Sequence, residues 1–167
     1  MALTYDKIAT NTLGSAASSI NFTSISSSYT DLKWVLNGVL TSTADIYIRY
    51  NSNTSGLYSW VRMGNVNGTP LSSNVSNDDK IRVSFSNPSE IASQFFYITG
   101  DVFNYAGSSF KPSLTQYYGN QSETAARATG VYAGTWRGTV AINELNIIST
   151  GAFAAGTMAT LYGILKA

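Results

Sequence analysis

Few residues of this sequence could carry out catalytic chemistry. The chain has no His and no Cys, and its acidic residues are six Asp and three Glu. A Ser-His-Asp triad, a Cys-His pair and any His- or thiolate-based metal site are therefore excluded. Paired carboxylates could act as in a glycosidase, but the adjacent Asp78 and Asp79 would face opposite sides of a strand. In the turn predicted there, both would be solvated.

The same acidic turn offers little to a metal ion. Asn77, Asp78 and Asp79 are oxygen-bearing residues, but they lack the D-x-D-x-D spacing of a calcium loop. We therefore predict that the protein is not an enzyme and that it holds no metal and no cofactor.

Aromatic side chains remain as the residues that could bind a partner. The chain has 11 Tyr, 7 Phe and 3 Trp, and exposed Tyr and Trp serve both sugar stacking and protein interfaces. Because consecutive residues on a strand face opposite sides, either Tyr117 or Tyr118 is expected at the surface. We predict core packing for Trp34 and for the Phe95–Phe96 pair. The candidate interface or glycan contacts are Tyr58, Trp60, Tyr117, Tyr118 and Trp136.

The composition predicts a polar surface with little charge. Charged residues make up 11% of the chain, the net charge is +1, and Ser, Thr and Asn together account for 55 residues. This balance gives no electrostatic reason to bind nucleic acid or an anionic membrane. The apolar runs are far shorter than the roughly 20 residues that span a bilayer, and the start MALTYDKIAT predicts no signal peptide.

Hydrophobic residues alternate with a period of two along most of the chain, which is typical of half-buried strands. The predicted inward sets are Ile46, Ile48 and Tyr50; Ile81, Val83 and Phe85; and Leu145 and Ile147. The best helical candidate is residues 123–130 (ETAARATG). Turn signals recur at short intervals, so we predict an all-β fold: about eight to ten strands in a single antiparallel β-sandwich of jelly-roll type, spanning residues 1–167.

Three stretches allow local predictions. Residues 95–105 (FFYITGDVFNY) are apolar on both faces at first, which indicates a central strand or an interface. Asn37-Gly38 could form a type I′ hairpin turn or a bulge, and we favour the bulge because few residues follow before the next turn. Residues 51–56 (NSNTSG), between IYIRY and LYSW, are predicted to connect a hairpin.

Six short segments near the two ends of the chain form a recognisable series. They are KIATNTL (7–13), GSAASS (14–19), INFTSI (20–25), SSYTDL (27–32), RYNSNT (49–54) and LYGI (161–164). This series resembles a recurrent family of tailed-bacteriophage virion proteins and tail or fibre domains. The likeness covers about the first 60 residues and the last ten, and residues 63–148 do not align. It implies a β-sandwich on the outside of a phage particle and carries over no catalytic motif.

These observations lead to a capsid decoration (cement) protein as the expected function. Such a protein binds the major capsid protein or other virion proteins on the outer head surface and stabilises the shell, and the lack of a fibrous shaft favours it. Assembly in the host bacterial cytoplasm on a symmetric lattice predicts a homo-oligomer, a trimer. The alternative is a tail-fibre or receptor-binding adhesion domain that stacks host surface glycans on exposed Tyr and Trp. A third hypothesis, a free carbohydrate-binding module, is disfavoured by the missing signal peptide.

Overall fold

The computed structural model describes residues 5–84, 95–120 and 127–165. The regular elements in these ranges are twelve β-strands, all paired antiparallel. They are β1 (Tyr5–Thr12), β2 (Ala17–Phe22), β3 (Asp31–Val39), β4 (Ile46–Tyr50), β5 (Tyr58–Val66), β6 (Thr69–Asp78), β7 (Ile81–Arg82), β8 (Phe95–Val102), β9 (Lys111–Asn120), β10 (Arg127–Trp136), β11 (Leu145–Phe153) and β12 (Met158–Ile164). None of the described residues belongs to a helix able to cross a membrane.

Eight of these strands form a jelly roll. The first strand pairs with the last (β1 with β12), and the inner pairs β2–β11, β3–β8 and β4–β7 follow in nested order. The contacts β12–β3 and β11–β4 then close the strands into the sheets β1-β12-β3-β8 and β2-β11-β4-β7. This nesting is the double Greek key of a jelly-roll sandwich. The predicted all-β jelly-roll fold is therefore confirmed.

Two inserted hairpins extend one of the sheets. The hairpin β5–β6 lies between β4 and β7 in the chain, and β9–β10 lies between β8 and β11. Together they continue the first sheet in the order β8-β9-β10-β5-β6, so this large sheet has eight strands against four in the small sheet. These insertions explain why the strand count exceeds the eight to ten predicted from the sequence.

The core lies between the two sheets. Trp34, Leu36 and Ile98 of the large sheet are fully buried, as are Ile48 and Ile147 of the small sheet. Burying one such side chain contributes about 1.5–3 kcal/mol. The predicted inward faces of β4 and β11 and the burial of Ile81 and Val83 are confirmed, while Phe85 lies outside the described residues.

The aromatic pair predicted for the core is divided between two faces. Phe96 is buried, as is Trp34, but Phe95 is 55% exposed because neighbouring residues of β8 point to opposite sides of the sheet. Strand β8 lies between β3 and β9, so the prediction of a central strand is confirmed. The helix predicted for residues 123–130 is wrong for residues 127–130, which begin strand β10. Residues 123–126 lie outside the described ranges.

The loop of residues 51–56 is not a hairpin connection. It links β4 in the small sheet to β5 in the large sheet, so it crosses from one layer of the sandwich to the other. Asn51 and Ser52 adopt left-handed φ angles of 52° and 49°. Oδ1 of Asn51 accepts hydrogen bonds from the backbone N–H groups of Asn143 and Glu144, at 2.9 and 3.1 Å. The Asn side chain thus fixes the start of the crossing.

Asn37-Gly38 forms neither a hairpin nor a bulge. Strand β3 runs straight through both residues and pairs with β8 in continuous register, with Asn37 opposite Tyr97 and Gly38 opposite Phe96. A Cβ on Gly38 would lie 2.3 Å from Oγ1 of Thr157. The glycine is therefore explained by the close approach of a neighbouring side chain rather than by a turn.

A second close approach gives a stability prediction. The indole of Trp34 lies over Gly100, and a Cβ at that position would be 2.4 Å from Cε2 of the ring. Because Trp34 is fully buried and cannot move aside, we expect Gly100→Ala to lower the free energy of unfolding by about 1–3 kcal/mol. Urea unfolding measures this change.

Gly14→Ala is the matched control for that measurement. Gly14 is exposed, and no atom lies within 4 Å of the point that a Cβ would occupy there, so its substitution should stay within about 0.5 kcal/mol of wild type. Equal stabilities for the two variants would contradict the proposed role of the Trp34 contact.

Candidate functional site

The strands of the inserted hairpins have an inner and an outer face. Along β9 and β10, alternate side chains are buried between the sheets, and the intervening ones point outward. The strand register places outward side chains of neighbouring strands next to each other. The opposed outward pairs are Met63–Val131, Val61–Ala133, Ala133–Leu114 and Tyr118–Tyr97.

Large apolar and aromatic side chains are concentrated on this outer face. We call their surface the outer-face patch, and its residues are Val61, Met63, Tyr97, Leu114, Tyr118 and Val131. These residues are between 36% and 63% exposed. A contiguous exposed apolar surface of this kind, bordered by polar residues, is typical of an interaction site.

The outer-face patch is also uncharged. The outward neighbours along β5, β6, β9 and β10 whose side chains are described are Ser, Thr, Asn, Gln, Pro and Ala residues. Arg62 points to the inner face, where its Nε donates to Oγ of Ser73 at 2.7 Å. Towards β3, Lys33 donates to Asp101 at 3.1 Å, so these two charges neutralise each other. The patch is therefore suited to a partner surface or ligand without net charge.

Three shallow depressions formed by described residues lie on this side of the large sheet. One of about 280 Å³ lies between Tyr97 and Tyr118, and we call it the tyrosine depression. Another, of about 380 Å³, lies over β5, β6 and β10 beside Val61. The third, of about 530 Å³, adjoins Phe110 at the start of β9. The inserted hairpins contribute residues to all three.

The tyrosine depression combines aromatic rings with free polar groups. Its other lining residues are Thr99, Gln116, Tyr117, Thr129, Gly130 and Val131. The hydroxyls of Tyr97 and Tyr118 and the amide of Gln116 make no hydrogen bond to the described residues, and Oγ1 of Thr99 is likewise without a partner there. Because Oγ1 of Thr99 is buried, the tyrosine hydroxyls and the Gln116 amide are the groups that could bind a neutral ligand with both hydroxyls and an apolar face.

Four of the five aromatic residues proposed from the sequence are buried. Tyr58, Trp60, Tyr117 and Trp136 are at most 7% exposed, so an exposed contact is wrong for Tyr58, Trp60 and Trp136, and Tyr117 is the buried member of its pair. All four point to the inner face of the large sheet, where they fill the space between the layers. Tyr118 is 49% exposed and belongs to the outer-face patch. The expected division of Tyr117 and Tyr118 between opposite faces is confirmed.

Tyr58 and Trp136 belong to an aromatic cluster that joins the insertions to the jelly roll. The ring centroid of Tyr50 on β4 lies 6.2 Å from that of Tyr58 and 5.8 Å from that of Trp136. The Tyr58 hydroxyl accepts from the backbone N–H of Tyr50 at 3.0 Å and donates to its carbonyl at 3.1 Å. Burial raises the pKa of Tyr58 to about 12. These rings therefore have a structural role.

Trp60 is held by an acidic residue rather than exposed to a ligand. Its Nε1 donates to Oδ2 of Asp78 at 3.0 Å. Asp79 forms ion pairs with Arg49 and Lys80, both at 2.6 Å, and the hydrogen bond from Lys80 lowers the pKa of its carboxyl group. The two carboxylates are therefore engaged within the protein, which corrects the expectation that both are simply solvated. No group of three or more acidic residues placed to hold a metal occurs in the described ranges.

The sequence reasoning missed most of the outer-face patch. Tyr97, Val61, Met63, Leu114 and Val131 were not among the candidates. The available signal was the adjacency of large apolar residues, as in Trp60-Val61 and Phe96-Tyr97, because one member of such a pair must face outward on a strand. The sequence does not say which member that is, nor that these strands become neighbours.

The chain was compared with protein families, curated sequences and solved structures. No protein-family model matches the chain, and no curated protein matches it in sequence. The galectin LEC-6 of Caenorhabditis elegans is 10% identical, with 91% of this chain and 94% of that one covered at a TM-score of 0.39. The CBM2 module of an evolved Dit from Lactobacillus casei BL23 phage J-1 is 9% identical, with coverages of 89% and 69% and a TM-score of 0.17. Likenesses this distant carry no functional argument.

Tyr58 of the aromatic cluster and Tyr47, which lies on β4, predict a specific response to alkaline pH. An unfolded tyrosine titrates near pH 10, whereas burial raises the pKa of Tyr58 and of Tyr47 to about 12. The folded state therefore retains these protons longer than the unfolded state. Stability is unaffected by these groups below about pH 10 and falls as the pH rises from about 10 through about 12. Urea unfolding at a series of pH values measures the decline.

Tyr58→Phe separates the contribution of this residue. The variant removes the hydroxyl that bonds to the backbone N–H and C=O of Tyr50. We therefore expect the free energy of unfolding to fall by about 1–3 kcal/mol at neutral pH, and to decline less steeply than that of wild type above pH 10. Tyr118→Phe, which changes an exposed ring, should match wild type in both respects. A Tyr58→Phe protein with wild-type stability and pH dependence would show that the hydroxyl is not important.

Proposed function

We propose that this protein is a non-enzymatic structural protein of a phage virion, a capsid decoration protein that binds the outer surface of the head. Its outer-face patch docks on the major capsid protein and stabilises the shell by burying apolar surface of both partners. Such binding places the protein on the outside of the particle. The resemblance of the terminal segments to virion proteins supports the setting, and the outer-face patch supports the mode of contact.

The observation that carries this proposal is the chemical character of the outer-face patch. Val61, Met63, Leu114 and Val131 are exposed aliphatic side chains on three adjacent strands. The charged side chain described beside them is Asp101, opposite Leu114 at the border with β8, and it is paired with Lys33. The centre of a protein interface is depleted in charge and enriched in Tyr and Met relative to the remaining surface. Because the patch lies on a sheet held by backbone hydrogen bonds, binding requires little ordering of the chain.

The copy number of the protein in purified virions is the first test. A ratio near one copy per major capsid subunit, or a simple fraction of it, supports decoration of the head, because every lattice position offers the same docking site. Heads that lack the protein should also be less resistant to heat and osmotic shock. A handful of copies per virion would overturn decoration and indicate a tail or vertex location.

A charge introduced into the outer-face patch tests the docking surface itself. We expect Met63→Glu to weaken binding to heads that lack the protein at least tenfold, because a buried unpaired carboxylate is costly. Ala155→Glu places the same charge at an exposed turn between β11 and β12 and should bind as wild type does. Equal binding of both variants, measured by co-sedimentation with heads, would exclude the patch as the docking surface.

The tyrosine depression favours a second candidate function, adhesion to neutral host glycans. Its two exposed rings can stack on the apolar face of a sugar, while the exposed amide of Gln116 can bond to hydroxyls. The sequence analysis proposed Trp60 and Trp136 as glycan contacts, but both are buried. The exposed ring that lies beside Tyr118 is instead that of Tyr97. The two functions compete for one surface, because a patch buried against the capsid cannot bind a cell.

Binding to immobilised neutral glycans and to host cells distinguishes this candidate. An adhesion domain should bind them, and the Tyr97→Ala and Tyr118→Ala variants should each lose several-fold in affinity, since aromatic contacts of this kind contribute about 1 kcal/mol. Tyr5→Ala, an exposed tyrosine on the far edge strand β1, is the control. Wild-type binding by both depression variants would exclude the tyrosine depression as a glycan site.

A further inference from the structure

The four strands at the sheet edges differ in how they are protected from pairing with another chain. Natural edge strands are usually short, charged, bulged or covered. Strand β1 carries Asp6 and Lys7 and has an irregular register between Lys7 and Ala9. Strand β7 is only two residues long. Strand β2 is short, and its Asn21 carbonyl already accepts a hydrogen bond from Nδ2 of Asn11 at 2.8 Å.

Strand β6 has none of these protections over most of its length. It is ten residues long, forms the end of the large sheet beside β5, and is exposed at nearly every position. Residues 69–77 contain no charged side chain. In the described part of the chain, nothing pairs with its outer edge. Such an edge is able to accept a further strand.

The hairpin turn determines which backbone groups of β6 are free. Asn67 and Gly68 have φ angles of 56° and 80°, as in a two-residue type I′ turn. The flanking residues of such a turn exchange hydrogen bonds, and bonded and non-bonded pairs then alternate along the hairpin. Ser72, Asn74 and Ser76 consequently direct their N–H and C=O groups away from β5.

The free segment has defined ends. Pro70 faces the same edge but has no N–H to donate. At the other end, Asn77 has a φ of 59° and the pairing with β5 shifts between Tyr58 and Ser59. The regular edge therefore runs from residue 72 to residue 76.

We propose that β6 pairs antiparallel with β6 of a second copy of this chain, about a two-fold axis at Asn74. Asn74 then lies opposite its own copy, and Ser72 lies opposite Ser76 on both sides of the axis. Each of the three opposed pairs exchanges two backbone hydrogen bonds. The two large sheets become one continuous sheet across the axis.

The symmetry of the segment favours a second copy over an unrelated strand. Residues 72–76 (SSNVS) begin and end with Ser and have Asn at the centre, so the two-fold pairing repeats one small polar contact on each side. No like charges are brought together. On the inner face, Val75 lies beside Ser73 of the other copy, and the exposed Leu71 and Val75 become partly covered. A two-fold interface requires this kind of self-complementarity.

The pairing has a consequence for binding that does not depend on the nature of the partner. Both outer-face patches would lie on the same side of the joined sheet, so the dimer would present two sites in a fixed arrangement. Simultaneous binding of two sites strengthens attachment well beyond the affinity of one. The inference can fail while the proposed function stands, because a monomer can also dock through one patch.

The mass of the protein in solution, measured by light scattering after gel filtration, tests the pairing. We expect a dimer for wild type at about 100 µM, a concentration that populates complexes with micromolar dissociation constants. Asn74→Pro removes the donor at the axis, yet a proline is tolerated where an edge N–H faces solvent. This variant should be a monomer with unchanged circular dichroism.

Asn74→Lys is the second variant, since it places two like charges directly opposite each other across the axis. Thr54→Lys adds the same charge in the exposed loop before β5 and should remain a dimer. A monomeric wild type, or a dimer that persists in both Asn74 variants, would overturn the pairing. A trimeric mass, the state expected from the sequence, would overturn it as well, because this edge can join only two copies.

Discussion

The contact of Tyr50, Tyr58 and Trp136 is the interaction on which the position of the candidate surface depends. Tyr50 ends a strand of the small sheet, whereas Tyr58 begins β5 and Trp136 ends β10 in the insertions. The Tyr58 hydroxyl bonds to both backbone groups of Tyr50. The inserted hairpins are thereby held against the second layer as well as against β8. An outer face on these strands can be rigid because their inner face is anchored in this way.

The aromatic residues of the chain are divided by face, and this division separates stability from binding. Large rings on the inner face fill space above residues without side chains: Trp34 lies over Gly100, and Tyr117 lies against Gly119. Rings on the outer face, such as Tyr118, leave their hydroxyls free. The same strands therefore contribute core packing on one side and an uncharged surface on the other, as alternation along a strand requires.

Local patterns of the sequence were sufficient for the strands and the fold class. Alternation in residues 45–50 placed Ile46, Ile48 and Tyr50 on one buried face, because that pattern depends only on neighbouring residues. The loop of residues 51–56 was misassigned, since the same polar residues suit a hairpin and a crossing between sheets. The candidate site was largely missed because burial of Tyr58 or Trp60 depends on strands distant in the chain. Residue type indicates what a ring can do but not which face it occupies.

The unusual surface features of this protein belong mainly to the insertions, and Tyr97 of the neighbouring jelly-roll strand β8 completes the outer-face patch. The jelly roll pairs β1 with β12 and protects that edge with charge and an irregular register. The insertions add an edge strand that is uncharged over residues 69–77 and an exposed apolar face on neighbouring strands. Either feature alone is an aggregation hazard for a monomer, and neither contributes to the core. Their occurrence together on two hairpins joined within one sheet is explained if the hairpins make contacts outside the chain, while the jelly roll supplies the stability that keeps them in place.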